Sequence, residues 1–381
     1  MTGRPRRAKG QGTVDRVTAE PKYAAIARLI EAQIRDGEWD GGRMPSVRGV
    51  AAQHSVSVVT ASRALQVLRD KGLIQTVERA GCYRTPPPGA ERWALCLRLT
   101  PGPWRSLTEA VVRGGFEALA RREPMHLDAD AFDLRPGLTA AAAERAAAEA
   151  RGRGTHGVLL LPNRVSAEGA AAERAFVAGC AAAGLPVCLI ERNIDGADGL
   201  PCDLVTMDDF GGGVAATKHL LDLGRRRVGI VVSDSASSHC SRLAGYLYAL
   251  HGRAPGPASF VLGAQHSADP EASYRVVCDA VLRHKLDAVV CFSDYAAVGL
   301  IVELLHRGKS VPKDVAVVGF DDLPVGEFLP GGLTTFAYPG EAIAEQAVRL
   351  LRDRRLRPGR GPVQVLVPIE LTARGSTVAR D

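Results

Sequence analysis

Gly42-Arg43-Met44-Pro45-Ser46-Val47-Arg48-Gly49-Val50-Ala51, then Val56-Ser57-Val58-Val59-Thr60-Ala61-Ser62-Arg63-Ala64-Leu65, then Lys71-Gly72-Leu73-Ile74: this succession decides the front of the chain. Ser46 stands before Val47, Val50 and Ala51 as the N-cap of a short helix. Ser57 does the same for a second helix whose buried stripe is Ala61, Ala64, Leu65 and Leu68. Gly72 is where that helix should stop. Upstream, Tyr23, Ile26, Ala27, Ile30 and Ile34 recur at helical spacing and predict an amphipathic helix ending near Gly37. Downstream, Leu73 to Val77 and Cys82 to Arg84 flank Glu78-Arg79-Ala80-Gly81 and read as a hairpin.

Three helices and a hairpin in about 60 residues make a winged helix-turn-helix arrangement. The Pro-Ser-x-Arg start at Pro45, the helix-turn-helix and the Gly72-Leu73-Ile74 entry to the wing resemble the GntR family of bacterial DNA-binding domains. A helix is narrow enough to enter the major groove, and its first turn must present groups that reach base edges and phosphates. Ser57, Thr60, Ser62 and Arg63 are so placed. Ser46 and Ser57 have helix capping as an equal alternative role. The resemblance adds Arg48 at the start of the Ser46-capped helix, and Arg79 with Gly81 at the wing tip. Many relatives carry Arg where this chain has Val58. That departure implies a missing guanine contact, an apolar meeting with a thymine methyl, and an operator unlike the commonest half-site.

Charge agrees with a divided chain. The 381 residues carry 48 Lys+Arg against 42 Asp+Glu, a net +6. Residues 1–89 hold 15 Lys+Arg and 8 Asp+Glu, so the excess lies wholly in front and the remainder sums to −1. A basic front on a near-neutral body predicts an anionic partner for the front alone. Residues 1–21 are basic without periodic apolar residues, which predicts a disordered tail. The expected domains are then 22–85 for DNA, a Pro86-Pro87-Pro88 linker over 86–91, and a body over 92–381.

In the body, Trp93 to Leu99, Gly157 to Leu161, Pro186 to Ile190, Val228 to Val232, Ala288 to Phe292 and Val315 to Phe320 are apolar runs between helical stretches. Such runs predict parallel sheets covered on both faces, in two α/β lobes. Five segments in order are similar to the LacI/GalR-type effector-binding domain, which has the fold of periplasmic sugar-binding proteins. They are Asp208 to Gly213 leading to Lys218 to Val228, Ser241 to Tyr246, Phe292 to Gly299, Val317 to Asp322, and Leu333 to Thr335. The resemblance covers residues 92 to 375.

It implies a small ligand in the cleft at the carboxyl ends of the strands. A polyhydroxylated ligand wants Asp to accept two hydroxyls and Arg to donate to two. The family pattern puts these roles on Arg242 and Asp321, with Ser293 where relatives often have Asn. Trp104 offers an aromatic face to a ring, with lobe packing as its other reading. Arg192, Phe210 and Tyr338 occupy further cleft-facing loops. Asp294 and Asp322 read as loop-capping or hinge groups, and Arg225-Arg226-Arg227 as a solvated turn. A sugar is the leading ligand class; a purine or another metabolite stays open.

Other classes are disfavoured. The first body strand runs into Thr100-Pro101-Gly102-Pro103 without a G-x-G-x-x-G, and there is no P-loop, H-E-x-x-H or G-x-S-x-G. Gly211 to Gly213 suit close packing better than a phosphate. The eight cysteines are scattered, without zinc or redox spacing, so no metal or cofactor is expected. No apolar run reaches a membrane span and no signal segment is evident, which predicts a cytoplasmic protein. The expectation is a ligand-controlled repressor, homodimeric on a two-fold double-stranded DNA operator, and not an enzyme. The rivals are an aminotransferase-like GntR fusion, which needs a Schiff-base lysine among Lys218, Lys285, Lys309 and Lys313, and a transport solute-binding protein.

Overall fold

The computed structural model describes residues 21–35, 44–77, 81–84, 90–97, 105–128, 132, 139–162, 167–194, 199–232, 237–251, 259–263 and 270–378. The chain divides into two compact units, Met1–Thr85 and Pro86–Asp381. Nearly all of the basic tail and residues 86–89 of the spacer lie outside the described residues.

The first unit consists of α1 (Lys22–Arg35), α2 (Val47–Gln53), α3 (Val58–Asp70) and the hairpin β1 (Ile74–Val77) and β2 (Gly81–Arg84). Ile26, Ile30 and Ile34 of α1, Val50 of α2, and Ala61, Ala64, Leu65 and Leu68 of α3 bury one another together with Met44 and Ile74. The Ser46 and Ser57 hydroxyls accept the backbone N–H groups of Gly49 and Thr60, each at 3.1 Å. Each cap satisfies a donor that the helix start leaves open. Gly72, at φ +69°, turns the chain out of α3 into the antiparallel hairpin.

The second unit has two lobes. The first is built from β3 (Glu91–Leu97), α4 (Arg105–Arg122), β4 (Met125–Asp128), α5 (Ala140–Gly152), β5 (Gly157–Leu161), α6 (Ala167–Ala182), β6 (Val187–Ile190) and β7 (Asp203–Met207). The second follows with α7 (Asp209–Asp222), β8 (Val228–Val232), α8 (Ser237–His251), β9 (Phe260–Gly263), α9 (Pro270–Arg283), β10 (Ala288–Val290), α10 (Asp294–His306), β11 (Ala316–Val318) and β12 (Thr335–Phe336). The chain then returns to the first lobe with α11 (Gly340–Leu356) and β13 (Gln364–Val367), and ends in the second with β14 (Leu371–Thr372).

The first sheet has the order β13-β7-β6-β5-β3-β4 and the second β11-β10-β8-β9, with every neighbour pair parallel. Helices cover both faces of each. Trp93, Leu95 and Leu97 pack under α4 and α11, whereas Ala94 and Cys96 of the same strand pack under α5 and α6. This two-sided burial is why the strands read as unbroken apolar runs. The short β12–β14 pair is antiparallel.

The chain therefore crosses between lobes three times: after β7, between β12 and α11, and after β13. Met207, Tyr338 and Ile369 stand at these crossings, and Tyr338 packs against the cores of both lobes. The glycine run in α7 serves close packing: a Cβ on Gly213 would run into the Arg242 carbonyl, and one on Gly245 into that of Phe210. The Arg225–Arg227 run is not merely solvated. Arg225 donates to the carbonyls of Pro312 (2.5 Å) and Lys313 (3.3 Å), and Arg227 to those of His284 and Lys285 while lying over the Phe260 ring. Among the described residues no helix is long and apolar enough to cross a membrane.

Candidate functional site

Two surfaces are candidates for function, one on each unit. On α3 the buried stripe leaves the other side of its first two turns outward, with Val58 and Val59 52% and 64% exposed and Arg63 exposed. Ser62 and Thr60 are half-buried beside them, and Arg48 is exposed on α2. No Asp or Glu occurs between residues 44 and 69, so α2 and α3 as far as Arg69 carry no charge that opposes an anion. Ser46 and Ser57 cap their helices, and Ser57 Oγ shares a 2.8 Å hydrogen bond with Thr60 Oγ1. A hydroxyl that accepts from the backbone keeps its own O–H to give. Arg79 lies outside the described residues; Gly81 opens β2 opposite Val77.

In the second unit, loops at the carboxyl ends of the strands converge between the lobes. Arg192 follows β6, Asp209 follows β7, Ser293 follows β10 and Asp321 follows β11. Arg242, on α8, is buried: its Nε donates to Asp209 Oδ1 at 2.8 Å, Nη1 to the Phe292 carbonyl and Nη2 to Met207 Sδ at 3.4 Å. Its guanidinium lies 4.0 Å over the Phe320 ring. Burial pushes the Asp209 carboxyl up to about 6, although the Arg242 charge and hydrogen bond act against that rise. Arg242 is thus anchored within the protein, with fewer free donors than the resemblance implies.

Arg192 is buried too, donating to the Pro162 carbonyl at 3.1 Å and to Glu191, while its Nε has no acceptor. Glu191 takes a left-handed backbone, φ +69°, held by Thr206 Oγ1 donating to its carbonyl at 2.8 Å. Tyr338 has a buried hydroxyl without a partner. Burial, then the charge of Glu191, raises it well above the usual phenol range, and Arg192, Asp321 and Asp209 also act on it. Asp321 sits at φ +102° with its N–H on the Phe336 carbonyl. An Asp in that conformation is strained, a feature that clusters at ligand-facing loops.

Arg192, Arg242, Asp321 and Tyr338 share one neighbourhood, Arg192 through Glu191 and Arg242 through Asp209, and Ser293 comes to it only as the residue after Phe292, whose carbonyl Arg242 meets. Ser293 caps α10, its hydroxyl accepting from the Ala296 N–H at 3.3 Å. Phe210, next to Asp209 on the first turn of α7, is 42% exposed and packs against Tyr248 at 5.7 Å between ring centres. Its place on the first turn of α7 turns it outward, because Asp209 takes the inward position. Trp104 lies outside the described residues. Asp209, Glu191 and Phe320 belong to this neighbourhood but were not singled out from the sequence. Asp294 accepts from Thr335 Oγ1 and the Leu323 N–H, both at 2.6 Å, and Asp322 pairs with Arg374 at 2.6 Å, so both hold loops. Lys218, Lys285, Lys309 and Lys313 are all exposed. No group of three or more His, Cys, Asp or Glu that could hold a metal occurs among the described residues.

Residues 22–83 match the profile for bacterial regulatory proteins of the gntR family, and residues 217–377 that for a periplasmic binding protein-like domain. The chain is 28% identical over 177 residues to the HTH-type transcriptional repressor PurR of Escherichia coli O1:K1 / APEC, a match over 46% of this chain and 51% of that protein. The chain thus spans about half the length of the curated relatives it matches. Among solved structures, the transcriptional regulator CelR–cellobiose complex has a TM-score of 0.57 at 23% identity, covering 87% of this chain and 100% of that one. A LacI family regulator from Enterococcus faecium with bound ribose has a TM-score of 0.56 at 22% identity, covering 76% and 100%. These likenesses establish the two-lobed fold.

Proposed function

We propose that this chain, which carries a GntR-family helix-turn-helix domain and a periplasmic binding protein-like domain, is a DNA-binding repressor whose operator affinity follows a small ligand in the interlobe cleft. The observation that carries the reading is the union, in one chain, of an acid-free outward helix face with a cleft where buried polar groups converge. On the DNA side, Ser46, Arg48, Ser57, Thr60, Ser62 and Arg63, with Arg79 and Gly81 of the wing, meet phosphates and bases. Val58 and Val59 supply apolar contact where a thymine methyl can sit. One winged helix covers one half-site, so the working form is a cytoplasmic homodimer on a two-fold operator.

On the ligand side, Asp321, Tyr338, Arg192, Ser293 and Arg242 take a hydroxyl-rich ligand, a sugar as in the cellobiose and ribose complexes. Tyr338 Oη and Arg192 Nε, buried without partners, are the donors that a ligand oxygen would satisfy. The ligand acts by linkage: whatever factor it applies to operator affinity, the operator applies to its own.

A thermal-shift screen of sugars and nucleosides on the full chain tests the reading. A ligand at about 100 times its Kd adds roughly 2.7 kcal/mol to folded stability. Asp321→Ala and Tyr338→Phe should each diminish the shift; a full shift in both would remove the cleft assignment. Selection of operators from a random library should return a half-site unlike the commonest GntR one, and recovery of that common half-site would count against the Val58 argument.

A further inference from the structure

We propose that the base of the first lobe holds a second binding site, for an organic anion, at the opposite end of the sheet from the cleft. A cavity of about 820 Å³ opens where β5, β6 and β7 begin, against the last turns of α5 and α6 and the turn after α11. Its size falls within the roughly 300–1,000 Å³ of ligand sites. Among the described residues its lining includes Arg151, Arg354, Arg355, Arg360 and His156 and no carboxylate. The cleft lies at the carboxyl ends of these strands and the cavity at their amino ends, a separation of about 16 Å along β5.

The arginines divide into two kinds. Arg354 and Arg360 are held from below by Asp203, which is fully buried, at 2.6 and 3.0 Å. Arg360 also meets Asp353 at 2.6 Å, which leaves its Nε buried and without an acceptor. Arg151 and Arg355 are less committed. Arg151 donates to the Ala183 carbonyl at 2.6 Å, and Arg355 approaches Glu91 at 3.6 Å. A guanidinium carries five N–H donors in a fork that fits phosphate or carboxylate bidentately, so both have donors to give.

His156 is oriented to help. Its Nδ1 accepts the Arg92 N–H at 2.9 Å, and burial, with the Arg355 charge, holds it below the usual imidazole range. It is therefore neutral near pH 7, with the proton on Nε2 as one more donor. Between the donors, Val177, Leu185, Pro186 and Pro358 line apolar wall. A bare inorganic ion would leave that wall wet. The fit is an anionic group, phosphate or carboxylate, on a planar or apolar body.

Isothermal titration of the full chain tests this with four probes: adenosine 5′-monophosphate, adenosine, inorganic phosphate and indole-3-acetate. At least one of the two organic anions should bind saturably, with adenosine and phosphate about tenfold weaker or more. Which anion binds separates phosphate from carboxylate. The Arg151→Gln/Arg355→Gln variant, checked as folded by its melting curve, should lose about tenfold or more in affinity. Absence of saturable binding by both organic anions, or parental affinity in that variant, would overturn the site. So would loss of the binding in Arg48→Ala/Arg63→Ala, which would place it on the DNA face.

Discussion

Asp294 shows how a single carboxyl can hold two loops and still oppose burial. It accepts two hydrogen bonds of 2.6 Å, yet burial, which outweighs them, pushes it up to about 7. Because its folded value lies above its unfolded one, the folded state binds the extra proton between about pH 4 and 7. Stability from this group is full below the unfolded value and declines as pH rises to about 7, at about 1.4 kcal/mol per unit. Urea melts across that range should show the slope in the parent, and Asp294→Asn should reduce it, leaving the share of Asp209, which burial also raises, to about 6. Arg242 is tied to a buried carboxyl, Asp209. Arg242→Ala leaves the buried Asp209 without its cation and should cost roughly 3–5 kcal/mol, whereas Arg242→Ala/Asp209→Ala should cost less than the two single changes summed. The segments around Arg242 and Asp321 are distinctive in sequence, and the structure buries Arg242 and sets Asp321 at φ +102°. Asp209 was not legible, since an acidic residue at a helix start reads as an ordinary N-terminal charge until its burial is seen. Phe210, beside it, is exposed where Asp209 is buried, a difference that an aromatic next to glycines does not announce in sequence.

The helices separate capping from contact, which residue type alone leaves mixed. Ser57→Ala should lower the stability of the first unit by about 1 kcal/mol through the lost cap. Arg63→Ala should leave its melting unchanged, weaken all DNA sequences alike if it meets a phosphate, and reduce the salt slope by about 1. Fluorescence anisotropy at several salt concentrations, beside a melting curve, distinguishes the two. Packing of α7 on α8 gives a third expectation: Gly213→Ala or Gly245→Ala forces backbone apart and should cost about 1–3 kcal/mol in chemical denaturation. The apolar strands were readable in the sequence because both of their faces are buried. The edge strands β4, β9 and β13 were not. β9 and β13 keep exposed positions along their length, and β4 mixes His126 and Asp128 with Met125 and Leu127. Central β7 begins on Asp203, a charge that hides a strand until Arg354 and Arg360 are seen to neutralise it.

For the molecule as a whole, DNA affinity should fall steeply with salt. A dimer neutralising roughly 6 to 10 phosphates loses about three to five orders of magnitude between 50 and 200 mM. A nearly flat response in the same anisotropy titration would remove the DNA-binding reading. The division into a front unit and a two-lobed body was legible from the proline run, the charge split and the alternating apolar segments. The path between the lobes was not, because nothing in a local pattern says that α11 and β13 return to the first sheet. That path has its own consequence. The first lobe is assembled from residues 91–207 and 340–367, the second from 209–336 and 371 onward, so neither is a continuous stretch of sequence. A break after Tyr338 strips α11 from one lobe and β14 from the other together. Recombination can exchange the first unit at Thr85, where the two compact units meet in sequence. The two-lobed unit, with its interleaved segments, offers no such single point of exchange between its lobes.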